Sequence, residues 1–215
     1  MSPFEELFKF ARRPLVVMGY LGFVILSFIY FDKPIAIYFY SFDVKTHLPF
    51  VYWLTHIGIS TVYIVLFFLL ALFFRYIRQD KIWELRYWFL WLCLCLPNVV
   101  CLFFKMLLGR ARPVLFFNEQ LYGFYGLNLK SSLFWSFPSG HTTTIMGLAF
   151  GLCALFPRYC YVFSIVGVLA VSTRVLLADH YLSDVVMTSY LTLLEVGLIR
   201  LFLYRKRFRP ILYCE

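Results

Sequence analysis

Three short stretches hold the residues whose types and spacing suit work on an anion. In KMLLGRARP, Lys105 and Arg112 are seven apart, so on a continuous helix they would share a face two turns apart. Gly109 and Pro113 are expected to fray that helix and let Arg112 turn inward. In PSGH, Pro138, Ser139 and Gly140 permit a tight turn, and a helix opening at His141 would point unpaired backbone N–H groups outward, an anion site in itself. In TRVLLADHYLSD, His180 and Asp184 are four apart, so on a continuous helix the carboxylate would hold an imidazole N–H and raise its basicity, as in half of a nucleophilic triad. Arg174 lies six residues before His180 and can offer its forked donors to a phosphate beside that imidazole.

Taken singly, each stretch has a plainer reading. A lone histidine at a membrane edge is commonly structural, and a lone Lys or Arg at a helix end is a snorkelling anchor. What joins the stretches is the set of elements that must carry them. The chain of 215 residues is 62% hydrophobic and 14% charged, with a mean hydropathy of +0.80, far from the roughly 45–50% apolar and about 25% charged of soluble domains. It reads as an all-α polytopic membrane protein. One bundle over 1–215 is expected, with six spans at about 14–31, 55–77, 87–108, 141–156, 160–178 and 184–203. The segment 34–53 is broken by charges and Pro49 and is expected to form a short interfacial helix and turn.

The net charge of +9 sits in short clusters between apolar runs, which argues for membrane topology and against a nucleic-acid face. Thirteen of the 20 Lys and Arg residues fall on the flanks shared by both termini, which are therefore expected to be cytoplasmic. The apolar run from Pro14 to Phe31 is longer than a signal-peptide core and no small-residue cleavage site follows, so it is expected to be a retained span. Seven cations fall on the opposite side, and four of them, Lys105, Arg110, Arg112 and Arg174, stand at helix ends. All three chemical stretches fall on that same outward face. The six cysteines show no metal-type spacing and read as small buried hydrophobes without a disulfide framework.

The pattern Lys105-x6-Arg112-Pro113, then Pro138-Ser139-Gly140-His141, then Arg174-x5-His180-x3-Asp184 resembles the three-part signature of the type 2 phosphatidic acid phosphatase superfamily. The motifs span 105–184, and one position departs: Thr173 stands where the family usually has serine. The resemblance implies that His180 attacks phosphorus to form a phosphohistidine, with Asp184 orienting it. His141 would protonate the leaving oxygen and later activate water. Lys105, Arg112 and Arg174, with the Ser139 hydroxyl and Gly140 N–H, would clamp the phosphoryl oxygens. No metal or other cofactor is implied, because three fixed cations do the neutralising.

Other polar residues have quieter expectations. His56 reads as a packing or interfacial group and His47 as solvated. Arg110 reads as an interfacial cation or, less directly, a contact to the substrate head group; Asp179 as a helix cap or a partner for a base. Glu195, within a span, reads as a hydrogen-bonded packing residue, and the tail RKRFRP as a contact to anionic lipid.

The expected activity is removal of a terminal phosphate from a lipid monophosphate or diphosphate at the outer or periplasmic face of a plasma membrane, in a bacterium the inner one. The aromatic loop 114–137 would form the rim where the lipid chain enters sideways. Undecaprenyl diphosphate, phosphatidylglycerol phosphate and lipid A are the head-group classes that family precedent leaves. Lipid-to-lipid phosphotransfer at the same site, and a non-catalytic transporter or scaffold, are the alternatives. The lipid substrate and the bilayer are the expected partners, with neither nucleic acid nor an obligate protein partner.

Overall fold

Residues 2–129 and 131–205 are described in the computed structural model, and among them every regular element is helical apart from a single bridge pairing Arg110 with Phe124. Lys130, Cys214 and all but the first residue of the basic tail lie outside this range. The first helix, α1 (Pro3–Ala11), is amphipathic: Phe4, Phe8 and Ala11 are buried, and Ser2 and Glu5 close a reciprocal capping box at its start.

The chain then runs through α2 (Pro14–Leu26), one wide π turn (Ser27–Phe31) and α3 (Asp32–Phe42) without a break. This corrects the expected boundary at residue 31 and the interfacial reading of the residues that follow. The charge at Asp32 does not end the helix, because the N–H of Asp32 bonds back to the Ser27 carbonyl across the widened turn and its side chain faces inward, 1% exposed. The interfacial turn begins later, with α4 (Val44–His47), α5 (Pro49–Thr55) and a single 3₁₀ turn at His56–Gly58.

Five further long or central elements follow, separated by short connections and the short α8 (Pro113–Glu119): α6 (Ser60–Tyr76), α7 (Lys81–Leu108), α9 (Gly140–Leu155), α10 (Cys160–Leu176) and α11 (Leu182–Arg205). Among the described residues four helical runs are long and apolar enough to cross a membrane, and a fifth is added if α5 and α6, bent by 45°, count as one. The remaining apolar helix, α9, has 16 residues, about 24 Å of rise, and most of it is buried in the middle of the bundle against α7, α10 and α11. By contrast α2 buries none of its residues, as expected of a helix whose sides face lipid. The described cysteines are all free, and four of the five are buried.

The C-terminal ends of α7 and α10 and the N-terminal ends of α9 and α11 meet at one end of the bundle, where Ser139 N–H donates to Thr188 Oγ1 at 2.9 Å and Ser136 Oγ to Asp184 Oδ2 at 2.6 Å. At the other end Arg200 of α11 reaches Glu5 of α1 at 3.0 Å. The three chemical stretches therefore share one end because alternate helix termini do.

Candidate active site

Lys105 lies in the last turn of α7, and its Nζ donates to the Trp135 carbonyl at 2.7 Å. The helix stops at Gly109, whose φ of 54° is left-handed and whose missing Cβ leaves room for the Gly126 carbonyl, 2.0 Å from where that atom would stand. The next three residues are pinned by backbone bonds to the following loop. Ala111 N–H donates to Gly123 at 3.0 Å, Arg112 N–H to Leu133 at 2.9 Å, and the Arg110 carbonyl accepts from Ser136 at 3.0 Å. Arg112 is thus the residue before α8, turned away from the axis of α7 as the fraying at Gly109 required.

Ser139 caps α9, its hydroxyl accepting from Thr142 N–H at 3.5 Å, and it is fully buried. Gly140 lies beside Lys105: a Cβ there would be 3.7 Å from Lys105 Cε. His141 packs on the 3₁₀ turn after α5, where Gly58 is needed for the approach; a Cβ at Gly58 would stand 2.6 Å from the imidazole Cδ2. The threonines after His141 do as expected of helix-start residues: Thr143 and Thr144 each return a hydroxyl bond of 3.0 Å to the carbonyl four residues back.

Arg174 ends α10. Its guanidinium donates to Thr55 Oγ1 at 2.6 Å and pairs with Asp179 at 3.0 Å, the partner expected of Asp179. Its carbonyl accepts from Asp179 N–H at 3.1 Å and His180 N–H at 3.2 Å, so a tight turn delivers the histidine. The hydroxyl of Thr173, at the position of the family's serine, bonds back to Ala170 at 2.6 Å within the helix.

One expectation needs correction. His180 and Asp184 do not sit on one continuous helix, since α11 begins at Leu182 and His180 belongs to the turn before it. They meet nonetheless, with His180 Nδ1 3.7 Å from Asp184 Oδ2, a separation longer than a hydrogen bond. Asp184, in the first turn of α11, also accepts the Tyr181 N–H at 3.1 Å, half of a capping box.

Burial, reinforced by the charges of Lys105, Arg112 and Arg174, holds the His180 imidazole down near pKa 3, with Asp184 pulling the other way. The ring is therefore neutral, and a neutral imidazole has a lone pair to attack with. The same three cations act together on His180, and the buried Nε atoms of Arg112 and Arg174 have no hydrogen-bond partner. Such a constellation of fixed positive charge and unused donors fits a multiply charged oxyanion.

The family model for the PAP2 superfamily matches residues 86–208. The chain belongs to the PAP2 superfamily. Two lipid A 1-phosphatases, from Rhizobium johnstonii and Rhizobium etli, are 39% and 38% identical to it over 82 residues, 38% of this chain in each case. The matched region spans only 33% and 35% of those relatives. A crystal structure of a transmembrane PAP2 type phosphatidylglycerolphosphate phosphatase from Bacillus subtilis aligns over 96% of this chain and 95% of its own, with 19% identity and a TM-score of 0.44.

In this PAP2 chain all eight residues singled out from the sequence lie at the same end of the bundle: Lys105, Arg112, Ser139, Gly140, His141, Arg174, His180 and Asp184. Others were missed. Arg110 is neither an interfacial cation nor a group open to substrate; it is 1% exposed and bridges Asp32 and Asp184. Its only signal in the sequence was a cation in an apolar setting, which usually marks an ion pair. Ser136 on Asp184 and Thr55 on Arg174 gave no signal at all. His56 is exposed and its Nδ1 lies 2.9 Å from the Tyr52 carbonyl, while exposed His47 similarly meets the Asp43 carbonyl. Glu195 is half-buried on α11.

Proposed function

We propose that this chain is a metal-independent lipid phosphatase that works through a phosphohistidine. The observation that carries this reading is the convergence of Lys105, Arg112 and Arg174 on a buried, neutral His180 whose Nδ1 faces the Asp184 carboxylate. With Nδ1 toward Asp184, Nε2 is the nucleophile. Nε2 bonds to phosphorus as the bond from phosphorus to the lipid oxygen breaks, and His141, which takes up a proton from solvent as the negatively charged phosphate comes to lie among the cations, gives that oxygen its proton. Asp184 stabilises the positive ring. Water then gives a proton to His141 and attacks phosphorus, the P–Nε2 bond breaks, and inorganic phosphate leaves. Throughout, the three cations and the first N–H groups of α9 hold the equatorial oxygens, neutralising charge as a metal does in other phosphoryl transfers. The Ser139 hydroxyl accepts from Thr142 as a helix cap and still has its own proton to donate to the phosphate.

A lipid substrate is supported by the setting. A groove between α6 and α7, walled by Ile64, Val99 and Leu102, ends at Lys105 and Gly140, so an apolar chain lying in it would bring its head group to the cations. Counting α6 and α9 as crossings gives six, so both termini share a side opposite the site; the excess of Lys and Arg on the terminal flanks favours the cytoplasm for that side and the periplasmic or outer face for the site. Local similarity to the lipid A 1-phosphatases makes lipid A the first of the three expected head-group classes to try.

The test is purified protein in detergent with excess EDTA, given lipid A, phosphatidylglycerol phosphate and undecaprenyl diphosphate in turn, wild type beside His180→Ala. Release of inorganic phosphate by wild type alone supports the proposal. A requirement for added divalent metal, or transfer of the phosphate to a second lipid without release, contradicts it.

A further inference from the structure

Behind the catalytic carboxylate lie two charges that the chemistry above does not use. Asp32 and Arg110 are each 1% exposed and Asp184 is fully buried. Arg110 Nη2 donates to Asp32 Oδ2 at 2.7 Å, while Nη1 donates to Asp184 Oδ1 and to Ser183 Oγ at 2.8 Å. Asp32 Oδ1 in turn accepts the Ser183 N–H at 2.9 Å, and Tyr122 and Ser27 turn their hydroxyls toward the same carboxylate. The guanidinium is walled by aromatic rings, with its carbon 4.8 Å from the centre of Tyr181 and 4.9 Å from that of Phe28.

Stability alone is a poor reason for such a triad, because the desolvation of buried ions cancels much of their attraction. Its geometry has a more specific effect. A guanidinium is a rigid planar fork, so fixing Nη2 on Asp32 fixes the direction of Nη1 and with it the rotamer of Asp184. Oδ1 is held by Arg110, and Oδ2, bonded by Ser136 and Tyr181, is the oxygen presented to His180. The charge balance matters too. One cation shared by two carboxylates leaves a net negative charge in this wall, so Asp184 is only half neutralised and keeps its hold on an imidazole that becomes positive.

We propose that Asp32 and Arg110 are positioning residues for phosphohistidine formation: Asp32, on the first long helix, steers Arg110, which aims Asp184 and shares out its charge. This rests on the catalytic reading of His180 and Asp184. It assigns the π turn a purpose, since that widened turn is what brings Asp32 inward, and it makes α3 part of the active site although α3 carries none of the residues assigned to the phosphate.

The experiment is a double-mutant cycle in steady-state kinetics with the lipid phosphate that wild type turns over best, comparing wild type, Asp32→Asn, Asp184→Asn and the double variant. Asp32→Asn is expected to lower kcat by about 10–100-fold, on the scale seen when an outer partner that orients a metal ligand is lost, with KM within about twofold. In the Asp184→Asn background the same change is expected to cost less than about twofold. Should Asp32→Asn fail to fold, Asp32→Glu, which keeps the charge and shifts it by a methylene, carries the same cycle. Unchanged kcat, or a full loss that persists without the Asp184 carboxylate, overturns the proposal. An inactive wild type overturns the catalytic reading and this role together, whereas an active wild type indifferent to Asp32 overturns this role alone.

Discussion

The carbonyl of Arg174 accepts the N–H of His180 at 3.2 Å, so the cation that would grip the phosphate and the nucleophile that would attack it are tied through one backbone turn. The guanidinium is steered separately, by Thr55 at 2.6 Å and Asp179 at 3.0 Å. Nucleophile and clamp thus share a backbone but not a side-chain network. Arg174→Lys keeps the charge and loses the planar fork. It is expected to lower kcat/KM by about 10²–10³-fold, the cost of one lost transition-state donor, far more than the accompanying fall in melting temperature from losing one of the Thr55 and Asp179 bonds accounts for. Phosphate release against substrate concentration measures it.

The neutral state of His180 fixes a dependence on pH. Burial, with Lys105, Arg112 and Arg174, lowers its folded pKa from 6.5 to about 3, so between these values the unfolded chain binds a proton that the folded protein does not. The stability associated with a neutral His180 is full above pH 6.5 and is lost progressively as the pH falls toward 3. Thermal unfolding in detergent is expected to show this decline in wild type and less of it in His180→Gln, whose amide does not titrate. Identical slopes in both proteins would contradict the assignment.

Gly58 controls the second histidine. A methyl group there would stand 2.6 Å from the His141 ring, so Gly58→Ala must move His141 or the 3₁₀ turn. Because a displacement of about 1 Å at a catalytic group costs on the order of 10²-fold, kcat is expected to fall by roughly that factor. Substrates with a very good leaving group, which need little proton donation, are expected to be spared in the first step.

Much of this site was legible because its parts are local. The spacing of Lys105 and Arg112 around a glycine, the turn residues Pro138, Ser139 and Gly140 before His141, and the short distance in sequence from Arg174 to Asp184 each point to a helix end. Charge and hydropathy put those ends on one side. The pairing of Asp32 with Arg110 was not legible, because the residues are 78 positions apart and nothing local links them. Asp32 therefore read as the end of a span when it is an inward-facing residue of a continuing helix. His180 and Asp184 show the opposite case: the four-residue spacing correctly brought them together, but through a turn and the cap of α11.

The far end of the bundle supplies a control. Arg200 is 4% exposed and pairs with Glu5 at 3.0 Å, joining α1 to α11 away from the site. Removing one partner of a buried pair costs about 3–5 kcal/mol, and Glu5 is part-exposed, so Arg200→Met is expected to lose less than that. Differential scanning measurements should show a lower melting temperature while kcat per folded molecule stays at the wild-type value.

The covalent intermediate is the central claim, and rapid quenching with a ³²P-labelled lipid phosphate addresses it directly. Label is expected on His180, stable in alkali and released in acid, and absent from His180→Ala; with a labelled phosphate ester whose leaving group is good enough to need no proton donor, it is expected to accumulate in His141→Ala, where water is no longer activated. Turnover without label in wild type and His141→Ala, or label on any other residue, would contradict it.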